Sequence, residues 1–247
     1  MTTLVGAEIR KLTTTRSTWW LLGALAAVSA ALAGAMQFAG ATRGVREGAL
    51  LVYRQPANMY VIPLVVGTLL VTREYHTRTI VPTLLGEPRR GAVYAAKVLG
   101  GAAASAVCAA AAVAVATAVA ASVFAVNGDE TFLADGAVVS SLAGTFGALA
   151  LWGLMGVGLG ALLRNQAAAL TLALVATLLL EPILGIVLNT ADMPEAVAYL
   201  PGGAANLMAG GTSFGEEGSA LNGFAVLAGY TAAALAAGAA RFMRYEP

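Results

Sequence analysis

Residues 98–128 read VLGGAAASAVCAAAAVAVATAVAASVFAVNG, 31 consecutive positions without an Asp, Glu, Lys or Arg. A helix rises 1.5 Å per residue, so about 20 apolar residues cross a hydrocarbon core about 30 Å thick. The stretch is therefore long enough to span a bilayer with residues to spare. Its apolar residues run continuously, whereas a barrel strand must alternate between lipid and lumen. The abundance of Ala and Gly suits helices that approach closely in lipid.

Outward from this stretch the same pattern repeats. Residues 17–42, 55–72, 136–163 and 218–240 carry no charge, and 165–191 is interrupted only by Glu181. The 247 residues are 59% hydrophobic and 11% charged, too little charge to cover a soluble domain of this size. The reading is an all-α membrane protein, one membrane domain over 1–247 with spans at about 18–39, 56–72, 98–126, 137–163, 167–188 and 219–240. Six spans divide the connecting segments into two sets. One holds 11 of the 14 basic residues, among them Arg73, Arg78, Arg89, Arg90, Lys97 and Arg164. The other holds Arg43, Arg46 and Arg54 with eight acids. By the positive-inside rule the basic set faces the cytoplasm, which puts both termini inside. Ala39-Gly40-Ala41 resembles a signal-peptidase site, but the first apolar window exceeds the roughly 7–15 residues of such a signal and is read as a retained span.

Residues 1–16 form an expected interfacial helix, with Met1, Leu4, Val5, Ile9 and Leu12 on one arc and Lys11 at its edge. Glu8 falls inside that arc and needs Lys11, the basic 73–90 segment or headgroup water as a partner. Glu181, the one acid within a window, is either an intramembrane proton or substrate site or a helix-end residue beside Pro182. Gly153, Gly156 and Gly160 give span four a small-residue face for helix packing. The segment 189–220 mixes Pro and Gly with the apolar run 196–200 and Leu207-Met208, a pattern for an interfacial or re-entrant piece on the outer side.

Catalytic patterns lead nowhere. Residues 211–215 match the Gly-x-Ser-x-Gly elbow, but Ser213 lies on the outer side and the sole histidine, His76, on the inner. No Gly-x-x-x-x-Gly-Lys-Ser/Thr loop and no His-Glu-x-x-His pair occurs. The expectation is a chain without catalytic or metal-binding residues, in which Cys108 packs as a small apolar side chain.

The informative polar stretch is 73–97, REYHTRTIVPTLLGEPRRGAVYAAK, between spans two and three. Thr79 can cap a short helix bearing Ile80, Val81, Leu84 and Leu85, with Pro82 in its first turn. Gly86 to Pro88 stop it, and Arg89-Arg90 lead back toward Lys97. Apolar knobs flanked by arginines and tied to two spans are what a docking helix needs. The stretch resembles the first cytoplasmic loop of the ABC-2 type transporter permeases of actinobacteria, with Glu74, Thr79, Ile80, Leu84, Leu85, Pro88, Arg90 and Lys97 in matching places. Glu8, Lys11, Arg16, Ser17 and Trp19 are similar to that family's N-terminal elbow helix, and Glu181-Pro182 with Met193-Pro194 to its fifth span. Arg78 departs from the pattern, which usually has Gly there.

The resemblance implies a permease subunit of an exporter in a bacterial plasma membrane, paired with a second permease chain, identical or different. ATP and Mg²⁺ would be bound by a separate ATPase subunit, with no cofactor on this chain and no nucleic-acid partner. In that scheme Glu74, Thr79, Ile80, Leu84, Leu85, Pro88, Arg89 and Arg90 form the ATPase-coupling surface. The alternatives are a secondary transporter or channel built on Glu181, and a non-transporting membrane anchor or immunity-type protein.

Overall fold

The computed structural model describes residues 16–38, 46–87, 89–211 and 218–244. Every regular element among them is helical. In chain order these are α1 (Arg16–Phe38), α2 (Arg46–Arg54), a 3₁₀ turn (Gln55–Met59), α3 (Val61–His76), α4 (Ile80–Gly86), α5 (Arg90–Asn127) and α6 (Gly136–Leu163). There follow α7 (Gln166–Val175), a π turn (Ala176–Leu180), α8 (Glu181–Thr190), a second 3₁₀ turn (Pro194–Tyr199), α9 (Pro201–Met208) and α10 (Ala220–Met243).

Five helical segments are long and apolar enough to cross a membrane: Arg46–His76, Arg90–Asn127, Gly136–Leu163, Gln166–Thr190 and Ala220–Met243. The first apolar window forms α1, a helix of 23 residues that lies against α5. Two segments begin earlier than their charge-free windows. Residues 46–54, expected as an outer loop, form α2 and run on through the 3₁₀ turn into α3. Arg46 and Glu47 lie in the first turn of α2 and Arg54 at its end, while Ala49, Val52 and Tyr53 are buried against Ala120, Phe124 and Val138. Likewise α5 starts at Arg90, two turns before the window at 98.

The centre of the bundle is α6, packed against α3, α5 and α10. Its glycines allow this. A Cβ at Gly156 would meet the backbone of α3 at Leu64 and Thr68, and one at Gly160 would lie 2.8 Å from the Thr68 carbonyl. A Cβ at Gly158, between them, would strike the α10 backbone at Ala234. Bare helix surface thus meets bare helix surface on two sides of α6. Trp152, Leu64, Met155 and Leu227 fill the core between these contacts.

Local chemistry sets the ends. Asp135 caps α6 by accepting from the Ala137 N–H at 2.7 Å, and Asn165 caps α7 by accepting from Ala168 at 3.0 Å. Gly128 closes α5 with φ +75°. Pro182 lacks the N–H that would reach back to Leu178, and the helix widens into the π turn just ahead of it. The segment after α8 is compact: Val197, Ala198, Ala204, Ala205, Leu207 and Met208 are buried, and α9 lies against α6 and α10.

Candidate functional site

At one end of the bundle the chain turns from α3 to α5 through α4. The last turn of α3 closes with the Thr77 N–H on the Arg73 carbonyl at 2.8 Å, and Arg78 then adopts φ +57°. That left-handed conformation is what glycine adopts freely and what other L-residues adopt at a cost. Thr79 stands at the N-cap position, but its side chain makes no cap hydrogen bond. Its hydroxyl lies 3.0 Å from that of Thr77, and its carbonyl accepts from Thr83 Oγ1 at 2.9 Å. Pro82 sits in the first turn of α4, as its missing N–H allows.

The expected docking side chains divide into two groups. Ile80 is 1% exposed, enclosed with Val71, Val93, Tyr94, Val157 and Phe242, and Leu84 packs at the edge of that cluster. Leu85 is 78% exposed at the outer face of α4. Ile80 therefore anchors the short helix to the bundle, a correction to its expected place in a partner's groove. The cause is geometric: Ile80, in the first turn of the seven-residue α4, lies against Val71 of α3 and Val93 and Tyr94 of α5.

Glu74 is corrected in the same sense. Its carboxylate is almost fully buried and lies 2.7 Å from the Nζ of Lys97, which has no exposure at all. The pair joins α3 to α5 beneath α4. Arg89 is exposed and lies 3.7 Å from Glu87, whereas Arg90 donates to the Met243 carbonyl at 2.7 Å and ties α5 to the end of α10. The Tyr94 hydroxyl donates to the Leu235 carbonyl at 2.7 Å and strengthens that tie. Pro88, Glu8 and Lys11 lie outside the described residues, as does Ser213; Arg16 opens α1. His76 lines an open pocket beside the hairpin with Tyr75, Arg164 and Asn165.

The ion pair was not apparent from the sequence, because the charge-free windows end at 72 and resume at 98 and so leave both residues in the loop. The available signal was the register of 90–97: Val93, Ala96 and Lys97 fall on one helical face, and all three are buried.

The second polar group of interest lies at the opposite end of α3, about 24 Å away for a 16-residue helix. Glu181 opens α8, and its Oε1 accepts from the backbone N–H of Gly202 at the start of α9. The Gly203 N–H and the Tyr60 hydroxyl also donate to this carboxylate. Tyr60 is held flat against Trp152, with ring centroids 4.3 Å apart and planes within 14°. Glu181 thus holds the N-terminus of α9 from a different helix, at the wall of a cavity of about 270 Å³. Glu181 stands at the first turn of α8, beside Pro182, and on the wall of this cavity. No protein-family model matches the chain, and no curated protein matches it.

Proposed function

We propose that the chain is the membrane-spanning subunit of an ATP-binding-cassette exporter in a bacterial plasma membrane, moved through residues 73–97 by a separate ATPase. The observation that carries the reading is the form of α4. It is a short helix held between two candidate spans, anchored inward by Ile80 and presenting Leu85 outward. A partner that grips Leu85 and the exposed Arg89 pulls on α3 and α5 together, because the Glu74–Lys97 pair and the cluster around Ile80 leave α4 little freedom to move alone.

In this scheme the chain has six spans and both ends in the cytoplasm. α1, about 34 Å long for 23 residues, is the first of them and adds to the five candidate spans, and the excess of Lys and Arg on one set of loops supports the orientation. Two such chains stand side by side, each on an ATPase that binds ATP and Mg²⁺. Closure of the ATPases tilts α3 and α5 through α4 and opens a path between the chains, lined by α3 and α8. Arg89 meets acidic side chains of the ATPase or anionic lipid.

Leu85→Asp tests this reading without disturbing the core, since the side chain is already in contact with solvent or partner. Co-purification of a P-loop ATPase encoded beside this chain should be lost, while the variant's yield and helical content stay at the wild-type level. Intact association would sink the coupling role of α4.

A further inference from the structure

The cavity beside Glu181 has a chemical character of its own. Val197, Leu200 and Pro182 supply apolar walls, Tyr60 an aromatic ring, and Asn58 and Asn206 amides at its rim. Among the described residues that line it none is Lys, Arg or His, and Glu181 is the one carboxylate. Its three donors, the N–H groups of Gly202 and Gly203 and the Tyr60 hydroxyl, are all formally neutral. They orient the carboxylate and spread its charge without cancelling it. A carboxylate with no cationic side chain among the described residues around it, in a segment apolar enough to span a membrane, draws a cation toward it. The neighbouring Tyr60 ring, backed by Trp152, offers a second attraction for positive charge.

The corner is also fitted together closely. A Cβ at Gly202 would lie 2.9 Å from the Tyr60 hydroxyl and 3.0 Å from the Glu181 carboxyl carbon, so the three groups meet as they do only because position 202 has no side chain. The walls disfavour a hydrated inorganic ion, and the carboxylate disfavours an anion. The volume, about 270 Å³, lies just below the roughly 300–1,000 Å³ usual for small-molecule pockets, which suits a small ligand.

We infer that this cavity binds a small amphipathic cation, an organic ammonium whose charged head meets Glu181 and Tyr60 and whose apolar part lies along Val197 and Leu200. This names a cargo class for the proposed exporter and rests on that reading for the step of transport. Binding itself is measured on the full chain alone.

The test uses the purified chain in lipid nanodiscs and two probes of nearly one shape. These are benzyltrimethylammonium and neopentylbenzene, in which carbon replaces the charged nitrogen. After subtraction of empty nanodiscs, equilibrium dialysis should show saturable binding of the cation, about ten-fold or more tighter than the hydrocarbon. Glu181→Gln keeps an oxygen for the Gly202 N–H and should weaken cation binding about ten-fold while leaving the hydrocarbon unaffected. Equal affinity for the two probes in the wild-type chain overturns the inference with no variant needed. So does the absence of saturable cation binding, or an unchanged affinity in Glu181→Gln, which would leave Glu181 as a cap for α9 only. None of these outcomes bears on the ATPase contact, which Leu85→Asp reads separately.

Discussion

Lys97 illustrates how a single buried charge can organise two helices. Its ammonium is removed from water, and the Glu74 carboxylate at 2.7 Å is its ion-pair partner. Removing one member of a buried pair leaves the other without compensation and costs about 3–5 kcal/mol, whereas replacing both costs far less. Lys97→Met should therefore lower the unfolding free energy in detergent by about 3 kcal/mol, and adding Glu74→Gln should restore part of the loss. Additive effects in that cycle, read by circular dichroism on denaturation, would show that the two residues act independently. Arg78 is a smaller case. Its φ of +57° is strained for an L-residue, so Arg78→Gly should raise stability by about 0.5–1 kcal/mol, seen as a higher unfolding midpoint. The departure of Arg78 from a Gly-containing pattern was visible in the sequence. The burial of Glu74 was not, because charge content marks where a chain can meet water but says nothing of how far a helix runs past the apolar window.

Among the elements, α2 shows the same limit and a consequence for pH. Three charges within nine residues read as a loop, yet the charges stand at its ends while its middle packs on α5 and α6. Arg46 clamps the start of α2 to Asp135 through Nε to Oδ2 at 2.6 Å and Nη2 to Oδ1 at 2.9 Å. The hydrogen bonds from Arg46 and then from the Ala137 N–H hold the Asp135 carboxyl down to about 2, from an ordinary 3.8. A carboxyl held low stabilises the fold fully above its unfolded value and loses that contribution as the pH falls through its folded one. The stability difference between wild type and Asp135→Asn should therefore be constant above about pH 4 and shrink steadily toward pH 2. A difference that grows on acidification would contradict the clamp. Both partners are partly exposed, so added salt should weaken the effect. α8 is different again. Glu181-Pro182 marked a break in the sequence, and the structure turns that break into a π turn and a carboxylate that reaches α9 twenty residues on.

For the whole molecule, the apolar windows sufficed to recognise a helical bundle of membrane character, because about twenty uncharged residues leave a chain few other ways to satisfy its backbone. The packing around α6 was legible only as a spacing of glycines; which neighbours fill the gaps depends on contacts distant in sequence. Orientation can be tested directly. Cys108 is the sole cysteine, so a Cys108→Ala chain carrying Leu85→Cys has one reactive thiol at the exposed tip of α4. A membrane-impermeant maleimide should label it in inverted vesicles and fail to do so in intact cells. Labelling from outside would reverse the topology and end the coupling scheme with it.

The segment Gln166–Thr190 has the smallest buried share of the five candidate spans, and its inward positions are Ala169, Ala173, Thr177 and Gly185. Natural variation should accordingly fall unevenly along it. Leu, Ile and Val should replace one another more readily on the broad outer side, where no neighbour within the chain fixes their shape. The narrow file of small residues, spaced by four, four and eight, tolerates no bulk and should drift slowly from one species to the next.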